Sequence, residues 1–125
     1  MLTYVHRTAS KPTADHVLEV QEVARVLDRR NRYPSASAIE EIKLLLNGPL
    51  NITASSRESN LQKGCSMRRA LQEGCSGSRE QYRQDAVSRD RARLLAAAAS
   101  NPSAKKVFLQ AGDAAQARRT AYRYQ

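Results

Sequence analysis

Residues 78–99 set the strongest constraint on the fold. Ser78-Arg79-Glu80-Gln81 is a capping signature, and the stretch behind it reads as one long helix reaching Ala99, where the Ala96–Ala99 run favours helix. Asn101-Pro102 breaks it. Two further helices are expected, at 105–111 and 114–124, separated by Gly112-Asp113. A chain of 125 residues that spends so much of its length in C-terminal helix has room for one domain with a modest core.

The N-terminal half is more mixed. Residues 2–7 read as a short strand, and Ser10-Lys11-Pro12-Thr13 interrupts it. Apolar residues at Val17, Val20, Val23, Ala24 and Leu27 fall at helical spacing, which predicts a helix over 17–29 with Asp15-His16 at or just before its start. Ser37-Ala38-Ile39-Glu40 reads as a capping box for a second helix, with Ile39, Ile42, Leu45 and Leu46 on one face. Asn47-Gly48-Pro49 ends it. Residues 50–54 are extended. Ser55-Ser56-Arg57-Glu58 is another capping box, opening a helix with Asn60 and Lys63 on adjacent turns and an end or kink at Gly64. A short helical piece at 67–71 and a Gly/Ser loop lead to Ser78.

Charge narrows the partner class. Lys and Arg number 21 against 12 Asp and Glu, a net charge of +9. The excess is uneven: residues 60–125 carry 13 basic and 5 acidic side chains, whereas residues 1–59 carry 8 and 7. A polyanion such as nucleic acid explains the surplus, with the C-terminal half as the phosphate-gripping part. Arg57, Arg68, Arg69, Arg83, Arg89 and Arg93 are the candidate nucleic-acid contacts, with Arg118-Arg119 a similar pair. Tyr122 and Tyr124 are read as packing on the core rather than stacking on bases. No run of about 18 apolar residues or signal-peptide core is visible, so a cytoplasmic protein or a delivered domain is expected. Cys65 and Cys75 are too few for a four-cysteine zinc knuckle. They are read as free thiols unless the protein is exported.

Taken singly, Asp15-His16 is an ordinary helix N-cap, Asn51 a turn residue and Asn60 a polar surface position. Together they form an order: Asp15-His16, then Asn51, then Asn60 after eight intervening residues, followed by Lys63-Gly64. This order resembles the HNH (ββα-metal, His-Me finger) nuclease motif over roughly residues 13–64. The resemblance implies a mainly α chain around a small two-stranded ββα-metal core, with a helical insertion and basic C-terminal helices over 78–125. It implies a metal-dependent endonuclease hydrolysing phosphodiester bonds, DNA above RNA, leaving a 5′-phosphate and a 3′-hydroxyl.

The chemistry fits those residue types. Imidazole suits a base near neutral pH, so His16 would take the proton from water. Oxygen donors suit a hard cation, so Asp15 and Asn60 would hold one divalent ion. Asn60 stands where many members carry a second histidine, which favours magnesium, with manganese, nickel or zinc as alternatives. Asn51 would hold the histidine loop by backbone hydrogen bonds, and Lys63 or Arg57 would meet the scissile phosphate.

The stretch between His16 and Asn51 is 34 residues long, more than in many members, and holds the two predicted helices as an insertion. No recognition helix is apparent, so weak sequence specificity is expected. A short basic HNH domain also resembles bacterial toxin nucleases, for which an acidic immunity protein would be the partner. The competing expectations are a non-catalytic nucleic-acid-binding module and a helical domain that binds an acidic protein. Glu19, three residues after His16, is a candidate further metal ligand or water-positioning group, set against the preferred reading of Glu19 and Glu22 as a solvated helix face. His6 reads as a strand-surface residue, and the Asn51-Ile52-Thr53 sequon as chance.

Overall fold

The computed structural model describes residues 12–122. The chain is mainly helical, with one small antiparallel sheet. Its elements are β1 (Thr13–His16), α1 (Val20–Asp28), α2 (Ala36–Leu46), β2 (Ile52–Ser55), α3 (Arg57–Glu73), α4 (Arg79–Ala98) and α5 (Pro102–Ala121). In the sheet, Thr13 pairs with Ser55, Asp15 with Thr53 and His16 with Ile52. The strand expected at 2–7 lies outside the described residues.

Asp15-His16 belongs to β1, not to a helix cap, and α1 starts later than the apolar spacing suggests. The reason is where the backbone N–H groups go. Val17 N–H donates to the Asn51 carbonyl at 2.9 Å and Leu18 N–H to Asn51 Oδ1 at 2.8 Å. Those donors are committed to the start of β2, so helix begins only after Glu19, whose N–H is capped by Glu22 Oε2 at 3.0 Å.

The other caps are local chemistry, displaced slightly from their expected sites. Ser35 rather than Ser37 caps α2, accepting from Ala38 N–H, and Ser56 rather than Ser55 caps α3, accepting from Ser59 N–H. Ser78 caps α4 as expected. Asn101 caps α5 with Pro102 at its first position.

Two glycines read as breaks are not breaks. Helix α3 runs through Gly64 and ends at Gly74, the glycine with positive φ (74°). Helix α5 is continuous through Gly112, which lies against α4: a Cβ there would sit 3.4 Å from the Arg89 carbonyl oxygen and 3.5 Å from Ala92 Cβ. Close approach of the two helices needs that missing side chain.

The α4–α5 hairpin carries the core. Ala92, Leu95, Ala96, Val107 and Phe108 meet Leu18, Val23 and Val26 around α1 and Ile42 and Leu46 of α2. Burying a Leu or Phe side chain contributes about 1.5–3 kcal/mol.

Beside this apolar cluster lies a buried ionic one. Arg118 Nη2 donates to Glu22 Oε1 and to Asp85 Oδ1, each at 2.9 Å. Ser76 Oγ donates to Asp85 Oδ2 at 2.6 Å, Gln81 Nε2 to Asp85 Oδ1 at 3.1 Å, and Ser88 Oγ to Glu22 Oε2 at 3.0 Å. Glu22 is therefore buried, not on a solvated face, and Arg118 is a structural cation rather than a phosphate contact. Burial pushes the Glu22 carboxyl up to about 7 despite the attraction of Arg118.

Candidate active site

The site is built where the end of β1, the start of β2 and the first turns of α3 come together. Successive side chains leave a strand on opposite faces. Asp15 turns toward α3 and is buried, with Oδ1 3.1 Å from Lys63 Nζ. The same ammonium donates to the His16 carbonyl oxygen at 2.7 Å. The His16 ring reaches Asn47, the C-cap of α2, with Nε2 2.8 Å from Asn47 Oδ1. A carbonyl oxygen only accepts, so Nε2 carries the hydrogen of this contact, and in the neutral ring the lone pair is then on Nδ1.

Asn51 is fully buried one residue before β2. Its Oδ1 accepts from Leu18 N–H, and its Nδ2 donates to the carbonyl oxygens of Leu18 and Leu46, both at 3.0 Å. The excursion after His16, which contains α1 and α2, thus leaves and returns at one clamp. Seen locally, Asn51 is a turn residue; its actual partners lie 33 and 5 residues away.

Asn60 is half-buried on α3, one turn ahead of Lys63 and so on the same helix face. Lys63 fixes that face toward β1 through its contact with Asp15.

Glu19 is a site residue that helical spacing alone assigns to a solvated face. It is the N-cap of α1 and is half-buried, not solvated. Oε1 accepts from Gln21 Nε2 at 2.8 Å, while Oε2 is buried without a hydrogen-bond partner among the described residues. Burial raises its carboxyl above the usual range; Gln21, Lys63 and His16 oppose the shift and Asp15 adds to it. Those influences put the carboxylate within electrostatic reach of Asp15, His16 and Lys63. Gly64 faces it: a Cβ there would lie 3.9 Å from Glu19 Oε1, and the Gly64 carbonyl accepts from Gln21 Nε2 at 3.0 Å. The one sequence signal for Glu19 is its position, three residues after His16.

Among the described residues, no three or more His, Cys, Asp or Glu side chains converge in a way that would hold a metal. Asp15, Asn60 and Glu19, whose Oε2 is unpartnered among the described residues, carry the kind of oxygen donors a hard cation takes, and Asp15 Oδ1 is engaged by Lys63 Nζ. The Lys63 ammonium is held by two oxygens of the Asp15-His16 pair.

Of the expected nucleic-acid contacts, Arg57, Arg68, Arg69, Arg83 and Arg93 are exposed on α3 and α4. Arg89 is half-buried and engaged by Asp90 at 3.0 Å and Gln116 at 2.7 Å. Tyr122 packs near Tyr82, with ring centroids 5.1 Å apart, and Arg119 stacks over Tyr82; Tyr124 lies outside the described residues. Cys65 and Cys75 are both free. No helix among the described residues is long and apolar enough to cross a membrane.

No family model, curated protein or solved structure matches the chain.

Proposed function

We propose that the chain is a metal-dependent endonuclease of the HNH (ββα-metal) type that hydrolyses phosphodiester bonds, with DNA as substrate. The observation that carries this reading is the Asn51 clamp. It ties the loop after Asp15-His16 to the entrance of β2, and β2 runs directly into the helix bearing Asn60 and Lys63. Strand, strand and helix follow in the order of the motif, with the Asp15 carboxylate paired to the Lys63 ammonium and the His16 imidazole turned to Asn47.

Each side chain then has a task. His16 donates Nε2–H to Asn47, which holds the ring and leaves Nδ1 to accept a proton from water. The water oxygen bonds to phosphorus as the P–O3′ bond breaks, and the departing 3′-oxygen takes a proton from solvent to become a hydroxyl, while His16 later returns its proton to solvent. A divalent cation held by Asp15 and Asn60 would supply Lewis-acid stabilisation of charge on the phosphate oxygens, magnesium being the ion that suits such donors. Lys63 balances the buried Asp15 carboxylate and lies within one side chain's reach of any phosphate bound there. Arg57, exposed on the first turn of α3, adds positive charge where the helix dipole also favours an anion.

The experiment is incubation of supercoiled and linear DNA with the protein in magnesium, with EDTA as control. Metal-dependent strand breaks support the nuclease. DNA binding without breaks in magnesium, manganese, nickel and zinc would leave a binding module instead.

A further inference from the structure

Away from Asp15-His16, at the opposite end of α1, lies a cavity of about 630 Å³, within the size range of small-molecule sites. Its rim is cationic. Arg25, Arg29, Arg30 and Arg32 all line it, and none has a carboxylate within ion-pair distance among the described residues. Arg30 Nη1 donates to Gln110 Oε1 at 2.9 Å. Arg25 Nη2 donates to the Leu71 carbonyl oxygen at 3.1 Å, while its Nε is buried with no acceptor among the described residues. A buried guanidinium N–H without a partner is costly, and four unneutralised arginines around one opening repel one another.

The walls are apolar: Val26 of α1, Leu71 of α3, and Ala111, Ala114 and Ala117 of α5. Arg118 and Glu22 close the back and neutralise each other. The cavity thus offers unsatisfied cationic donors at the rim and a nonpolar slot behind them.

We propose that this cavity binds one nucleotide unit, its phosphate on Arg25, Arg29 and Arg32 and its base between Val26, Leu71 and the α5 alanines. Guanidinium forks match phosphate oxygens in pairs, and a planar base fills an apolar slot that inorganic phosphate or a glutamate side chain leaves empty. The arginines lie on the half of the chain that is close to neutral in net charge, so no charge count points to them. Helix rise places Arg29 about 15 Å along the axis from Glu19. A strand engaged at both places would therefore pass over α1. The inference does not depend on hydrolysis at His16.

The test is an amide NMR titration of the whole chain in EDTA, so that no cleavage intervenes. The probes are dAMP, inorganic phosphate, a tetraglutamate peptide and a 5′-phosphorylated single-stranded tetranucleotide. The expected result is saturable shifts confined to residues 25–32, 71 and 110–118, with dAMP at least fivefold tighter than inorganic phosphate. Arg29→Gln with Arg32→Gln, both at exposed positions, should weaken dAMP binding at least tenfold with an unchanged thermal melt. A tetranucleotide that binds more tightly than dAMP, and is weakened by the same pair, assigns the unit to a strand; tighter dAMP assigns it to a free nucleotide. Equal binding of phosphate and dAMP, tighter binding of tetraglutamate, shifts elsewhere, or an unaffected double variant would each overturn the proposal. Any of these leaves the nuclease reading standing, and loss of the nuclease reading leaves this one testable.

Discussion

Asn51 holds Leu18 by both of its backbone polar groups: Oδ1 accepts from the Leu18 N–H at 2.8 Å, and Nδ2 donates to the Leu18 carbonyl oxygen at 3.0 Å. The side-chain amide thereby does what a neighbouring strand's backbone would do, in a segment where β1 has ended and α1 has not begun. With Leu46 also bound, every polar atom of the amide is used inside the protein.

Replacing Asn51 by Ala would leave three buried backbone groups unpartnered. Each costs about 1–3 kcal/mol, so Asn51→Ala should lower stability by on the order of 3 kcal/mol. Urea unfolding should show a lower midpoint with an unchanged slope. Metal-dependent cleavage should fall with it, because the loop that follows His16 loses its anchor.

Stability should also depend on Glu22. Its folded carboxyl titrates at about 7 against an ordinary 4.5, so the folded state holds the proton more tightly. Its contribution is fully present below about pH 4.5 and is lost as pH rises through about 7. Each pKa unit is worth about 1.4 kcal/mol, so the change is on the order of 3 kcal/mol. Urea melts at pH 5 and pH 7.5 should show wild type losing more stability than Glu22→Gln between the two. Equal losses would mean that Glu22 does not titrate in that window.

The features legible in the sequence are those whose cause is local. Ser78 caps its helix through a side chain that binds an N–H group three residues ahead, and the α2 stripe of Ile42 and Leu46 follows from periodicity alone. Misreadings occur where the cause is distant. Gly64 and Gly112 look like breaks because a glycine's local preference is to end helices, yet each faces a neighbour brought by the tertiary fold. Glu22 looks solvated because its counter-ion, Arg118, lies 96 residues away. Asn51 and Lys63 stand out through their order in a motif; the partners that the structure gives them, Leu18 and Asp15, are distant in sequence.

Glu19→Gln keeps the shape of the N-cap side chain and removes its charge. If Glu19 supports the cation position, the variant should bind divalent ions about tenfold more weakly by calorimetry, the range seen when a supporting residue of a metal site is changed. Its melting temperature should stay near wild type, since the Gln21 hydrogen bond needs only an oxygen. Unchanged ion affinity would remove Glu19 from the site.

The exposed arginines should govern affinity and salt response. Replacing Arg57, Arg68, Arg69, Arg83 or Arg93 with Gln should weaken DNA binding and flatten the plot of log affinity against log salt by about 0.9 for each phosphate that is no longer neutralised. Fluorescence anisotropy between roughly 50 and 200 mM salt reads both. Arg89, engaged by Asp90 and Gln116, should cost more in stability than in binding.

The nuclease reading meets its most direct test in plasmid nicking by wild type and His16→Ala in magnesium. Wild type should nick and linearise supercoiled plasmid and stop in EDTA. His16→Ala should be at least about 100-fold slower, the scale of a missing general base, with unchanged circular dichroism and DNA affinity. Intact plasmid with wild type in magnesium, manganese, nickel and zinc, or a His16→Ala variant that cuts as fast as wild type, would contradict it.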